Sequence, residues 1–85
     1  MEQFTYTIKD PAGIHARPAG NLVKLVRESG SEVSIEKNGQ MANLKKLFTV
    51  MALGVKQGDT ITIRVSGDDE KTLSEKLQTF LEENL

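Results

Sequence analysis

Apolar and polar residues alternate along this chain with two different periods. Phe4, Tyr6 and Ile8 alternate with Gln3, Thr5, Thr7 and Lys9, the two-residue period of a strand with one buried face. Pro11-Ala12-Gly13 breaks it. Over residues 16–28, Ala19, Leu22, Val23 and Val26 recur at helical spacing until Ser29-Gly30-Ser31 stops the helix. Val33 and Ile35 alternate with Ser34 and Glu36, a second strand. Asn38-Gly39 is a strong hairpin signal and leads into a short third strand over Gln40–Asn43. Leu44–Leu53 is a short helical segment ended by Gly54. Ile61, Ile63 and Val65 alternate with Thr60, Thr62, Arg64 and Ser66, a fourth strand. Asp68 or Asp69 is placed to cap a last helix whose buried face carries Leu73, Leu77, Phe80 and Leu81.

The predicted order is therefore β-α-β-β-α-β-α. Strands with one apolar and one polar face form an antiparallel sheet that is packed on one side and wet on the other. Three helices on that one face give an α+β, two-layer open-faced sandwich. A chain of 85 residues is one domain at most, so a single domain over residues 1–85 is expected.

Composition narrows the chemistry. Hydrophobic residues make up 38% and charged residues 27%, the proportions of a folded globule rather than a disordered chain. Cysteine is absent and there is one histidine, so disulfides, a thiol nucleophile and a multi-histidine metal site are excluded. Asp68-Asp69-Glu70 has too few neighbouring ligands for a metal and reads as a helix start. No metal or cofactor is expected. The apolar runs are too short to cross a bilayer. Met1-Glu2-Gln3 is not the basic start of a signal peptide, so a cytoplasmic protein is the expectation.

The net charge of −1 hides an asymmetry. Between His15 and Lys56 stand Arg17, Lys24, Arg27, Lys37, Lys45, Lys46 and Lys56 against Glu28, Glu32 and Glu36. From Ser66 onward, Lys71 and Lys76 face Asp68, Asp69, Glu70, Glu75, Glu82 and Glu83. One basic and one acidic side can steer a charged partner onto one face. The bases lack interleaved aromatics, so no nucleic-acid partner is expected.

His15 sits where the first helix begins, followed by Ala16, Arg17 and Pro18. Proline is tolerated there because first-turn N–H groups have no helical partner. Those free amides and the helix dipole attract anions, and the positive field favours the neutral, nucleophilic imidazole. Arg17 can bring a planar fork suited to phosphate oxygens to the same point. Together these make a phosphoryl acceptor. A lone histidine at a helix entry is also what a solvated loop residue looks like, and residue physics leaves both readings standing.

The segment from Leu44 to Leu53 is the second anomaly. Leu44, Leu47, Phe48, Val50, Met51 and Leu53 cannot all face one core from two or three helical turns. About half belong to the core. Leu47, Phe48 and Met51 are left for an exposed apolar patch, suited to docking several partners. The alternative is a deeply buried short helix.

Gly13-Ile14-His15-Ala16-Arg17-Pro18-Ala19 resembles the active-site signature of HPr, the family of histidine-containing phosphocarriers of the bacterial sugar phosphotransferase system. The resemblance extends over nearly the whole chain. It takes in the Leu53-Gly54 helix exit, the Gly58 turn and the acidic Gly67-Asp68-Asp69-Glu70 cap. It implies a strand order of 1-4-2-3. It also implies a carrier rather than an enzyme: Enzyme I, charged by phosphoenolpyruvate, phosphorylates His15 on Nδ1, and the group passes to IIA domains of sugar permeases. Arg17 then assists transfer, and the amides of Ala16 and Arg17 hold the phosphoryl oxygens.

The implied docking surface is Gly20, Lys24 and Arg27 of the first helix with Leu47, Phe48 and Met51 of the second, rimmed by Lys45 and Lys46. Many Gram-positive relatives carry a serine at the start of the second helix, the target of an ATP-dependent kinase. Lys46 occupies that place here and has no hydroxyl. A cation there also disfavours the helix start by roughly 0.3–1 kcal/mol. A non-catalytic regulatory module on the same scaffold, like the Crh paralogues that lack the histidine, is the competing class; His15 and Arg17 together argue against it. Regulatory proteins are further partners that the resemblance allows, and the chain is expected to act as a monomer.

Overall fold

The structure, a computed structural model, describes Met1–Leu85. Its elements are β1 (Glu2–Thr7), α1 (Ala16–Arg27), β2 (Glu32–Lys37), β3 (Gln40–Asn43), α2 (Leu47–Ala52), β4 (Thr60–Ser66) and α3 (Glu70–Asn84). All strand pairs are antiparallel, in the order β1-β4-β2-β3. The element order and the strand order are those expected.

The alternation read from the sequence sets the two faces. Phe4 pairs with Ile63 and Tyr6 with Ile61, while Val33 and Ile35 stand opposite Val65 and Ile63. These side chains share the face covered by the helices. Ile35, Ile61, Ile63 and Val65 are buried there with Leu22 and Val26 of α1 and Leu73, Leu77 and Leu81 of α3. Each such aliphatic side chain contributes on the order of 1.5–3 kcal/mol by leaving water. The opposite face is polar: Arg64 on β4 reaches Gln3 on one side and Glu36 on the other, at 3.1 and 2.6 Å. The hairpin between β2 and β3 is the tight one that Asn38-Gly39 predicted. Both residues have positive φ, +50° and +83°, which matches the strand twist.

Three expectations need correction. The second helical segment was expected over Leu44–Leu53, but α2 begins at Leu47. Leu44 lies before it, fully buried, and its N–H donates to the Val33 carbonyl at 2.9 Å. The helix starts late because Asn43, the last residue of β3, turns the chain there, its Oδ1 accepting from the Lys45 N–H at 2.9 Å. Phe80 is half-buried rather than fully on the inner face of α3. The helical period puts Leu73, Ser74, Leu77 and Leu81 against the sheet and leaves Phe80 at the edge, beside Leu25.

Asp69 is the N-terminal boundary residue of α3, yet its carboxylate does not cap the helix. It accepts from the Ser29 hydroxyl at 2.8–2.9 Å and from the buried Ser31 hydroxyl. This ties the start of α3 to the turn that ends α1.

Candidate functional site

The loop between β1 and α1 is fixed at both ends before it presents a side chain. Ile8 donates to Asp59 O at 2.9 Å and accepts from Gly58 N at 2.8 Å. The amides of Lys9 and Asp10 both donate to the main-chain oxygen of Leu85, at 2.6 and 2.8 Å. Asp10 then makes a turn over Pro11: Oδ1 accepts from Ala12 N at 2.8 Å, and its carbonyl from Gly13 N at 2.9 Å. Gly13 has φ +67°, and a Cβ there would lie 2.4 Å from the Val55 carbonyl oxygen. Only glycine fits that close approach. Ile14 follows, buried, with its N–H on Val55 O at 3.1 Å.

The next residue is His15. Its backbone is extended and its carbonyl accepts from Ala19 N at 3.0 Å, so it is the boundary residue of α1. Its side chain is 45% exposed, with Nε2 3.5 Å from Asp10 Oδ2. Nδ1 has no partner within the fold. The amides of Ala16 and Arg17 are the unpaired first-turn donors, and no acidic residue stands in that turn. Arg17 is exposed and makes no hydrogen bond or ion pair. An exposed imidazole, two free amides and an unengaged guanidinium thus share one helix end. That arrangement can accept and hold an oxyanion.

The segment behind Gly13 has its own brace. Lys37 Nζ donates to the Gly54 carbonyl at 2.8 Å and pairs with Asp59 at 3.0 Å. Asp59 also accepts from the Lys56 N–H at 2.7 Å. The Lys56 amide and then the Lys37 ammonium hold the Asp59 carboxyl below its ordinary value. Sequence reasoning missed Lys37 and Asp59 as a pair, since no local spacing links them. It also missed Asp10, although Asp before Pro-Ala-Gly is a turn signal that brings a carboxylate back toward the histidine.

The predicted docking residues separate into two groups. Gly20, Lys24, Arg27 and Leu47 line one groove between α1 and α2, about 330 Å³ in volume, together with Val23 and Glu28. Phe48 is 86% exposed and Met51 36%, while Leu47 is half-buried against the core. The patch is open, because Val50 and Leu44 serve the core instead. Arg27 and Lys45 are partly committed to the fold: Arg27 Nε donates to Lys45 O at 2.8 Å, and Lys45 Nζ to Ser29 O at 3.2 Å. Lys24 and Lys46 are exposed and unpaired. Lys46 is the boundary residue of α2, with no side-chain cap.

With this geometry, comparison with known proteins is informative. The family described as "PTS HPr component phosphorylation site" matches residues 2–83. A phosphocarrier protein HPr of Lysinibacillus sphaericus is 41% identical over 83 residues, 98% of this chain and 94% of the relative. The solved histidine-containing phosphocarrier protein of Mycoplasma superposes with a TM-score of 0.93 at 33% identity, covering 96% of this chain and 93% of that one. Crh, a catabolite repression protein of Bacillus subtilis solved as a dimer with a swapped domain, gives 0.78 at 32% identity, covering 100% and 98%. The signature around His15, the strand order and the full-length likeness converge, and the chain belongs to the HPr family of phosphocarriers of the phosphotransferase system.

Proposed function

We propose that this chain, as a single cytoplasmic domain over residues 1–85, takes a phosphoryl group from Enzyme I onto His15 Nδ1 and delivers it to IIA domains of sugar permeases. The carrying observation is the state of His15: exposed, at a helix entry with two free amides, and with Nδ1 unpartnered. Three oxygens of a phosphoryl group on Nδ1 need donors. The Ala16 and Arg17 amides at the helix entry are free to serve two of them, and the helix field favours an anion there by about 0.3–1 kcal/mol. Arg17 is free to close on the group as charge builds during transfer. Partners dock on the groove and patch formed by Gly20, Lys24, Arg27, Leu47, Phe48 and Met51, with Lys45 and Lys46 at the rim.

The test is incubation with Enzyme I and labelled phosphoenolpyruvate. One acid-labile, base-resistant phosphate per chain is expected on wild type, none on His15→Ala, and slower onward transfer from Arg17→Lys, in which a point charge replaces a fork. Acid-stable label, or stoichiometric label on His15→Ala, would refute the relay. The likeness to Crh supports a second reading, a regulatory binding module; a wild-type chain that stays unlabelled yet binds its partners would favour it.

A further inference from the structure

We propose that Asp10 is a positioning residue for transfer at His15: its carboxylate keeps the proton of the neutral imidazole on Nε2, leaving the Nδ1 lone pair free to attack. This rests on the phosphocarrier reading above and adds the group that selects the reacting nitrogen.

Asp10 cannot drift. Its N–H is held by Leu85 O, its carbonyl by Gly13 N and its Oδ1 by Ala12 N, at 2.8, 2.9 and 2.8 Å. Only Oδ2 is left uncommitted, and it stands 3.5 Å from Nε2. The Asp10 side chain is 28% exposed, so water screens it only in part. The tautomer of a neutral imidazole is set by the hydrogen bond that one of its nitrogens makes. Here one nitrogen faces an acceptor and the other has no partner, which places the proton on Nε2. At 3.5 Å the bond is not yet closed; such contacts tighten as charge develops on the ring.

The transfer then balances without moving a proton. The Nδ1 lone pair forms the new N–P bond while the donor's bond to phosphorus breaks and its electron pair returns to the donor's leaving atom. Nε2 keeps its proton, and the ring gains one positive charge facing Asp10. On delivery the Nδ1–P bond breaks, its electron pair returns to Nδ1, and the ring is again neutral with Nε2–H. A carboxylate beside Nε2 stabilises the cationic ring that both steps pass through.

Asp10→Asn is the sharp test because it keeps the turn. Oδ1 still accepts from Ala12, so the amide NH₂ now faces Nε2 and donates to it. The proton is driven to Nδ1 and the nucleophilic lone pair is lost, as with any histidine whose orienting carboxylate becomes an amide. The measurements are ¹⁵N shifts of the neutral His15 ring, the melting temperature, and the rate of loading by Enzyme I with labelled phosphoenolpyruvate. Wild type should show mainly Nε2–H. Asp10→Asn should melt like wild type, gain the Nδ1–H form and load at least about tenfold more slowly. Asp10→Ala should show a mixed tautomer population. A wild-type tautomer ratio in Asp10→Asn would overturn the proposal, even with slow loading, because Asp10 would then only brace the loop. A wild-type chain that takes no label while the tautomer still inverts would sink the relay and leave Asp10's hold on the ring supported.

Discussion

At Gly13 the backbone has φ +67° and an added Cβ would meet the Val55 carbonyl oxygen at 2.4 Å, whereas at Gly20, inside α1, a Cβ would meet nothing within 4 Å. The same substitution should therefore act in opposite directions. Gly20→Ala removes backbone freedom from the unfolded chain and should raise stability by about 0.5–1 kcal/mol. Gly13→Ala forces a strained φ and a backbone collision and should cost roughly 2 kcal/mol or more. Urea titration of both variants decides this. Equal stabilities would show that the approach of residues 13 and 55 is not tight. Replacing His15 should likewise leave the fold intact, because its side chain is outside the core that Ile14 joins.

The short helix α2 has six residues and divides its apolar side chains between two duties. Val50 packs inward, and Phe48 is left in water, so Phe48 adds little to the stability of the fold. If the patch docks partners, Phe48→Ala should weaken Enzyme I binding at high and low salt alike, mainly by faster dissociation. Lys24→Glu, at the groove rim, should slow association mostly at low salt, where Debye screening is weak. Binding curves at two ionic strengths separate the two effects, and wild-type affinity in both variants would move the surface elsewhere. The N-terminal boundary residue of α2 is Lys46, where serine is the better helix start. Lys46→Ser should add about 0.5–1 kcal/mol through a new cap. It should also create a substrate for an HPr kinase, which is expected to leave the wild-type chain unmodified. Kinase-dependent phosphate on wild type, read by mass spectrometry, would contradict this.

Across the whole molecule, distant segments are tied by carboxylates that the fold keeps ionised. The Ser31 and then the Ser29 hydroxyls hold Asp69 below its ordinary 3.8. The Lys56 amide and then Lys37 do the same for Asp59. Lowered folded values mean that the unfolded chain binds protons first as pH falls. The contribution is complete above about 3.8 and disappears as pH drops through the folded values. The melting temperature should thus change little with pH around neutrality, where both contributions are complete, and fall steeply in acid. Asp69→Asn should melt lower at neutral pH and show a shallower acid slope than wild type. Parallel slopes would exclude Asp69 from acid sensitivity.

The element order, the buried faces of the strands, the tight hairpin and the helix entry at His15 were legible in the sequence. Each follows from a local rule: period two or 3.6, a left-handed Asn-Gly pair, or unpaired amides before proline. The open patch at Phe48 and Met51 was legible too, because one short helix has too many apolar residues for one face. The strand order came from the family likeness, since alternation says which face is buried and nothing about which strand is neighbour to which. Other features arise only when remote segments meet. The chain alone does not reveal that Asp69 serves Ser29 and Ser31 rather than its own helix. Nor does it show that Leu44 is buried in the turn before α2, its N–H held by the Val33 carbonyl of β2. Lys37 and Asp59 brace the loop on which Gly13 leans. Hydrogen bonds and ion pairs across long sequence separations have no period to betray them, so only the folded chain decides them.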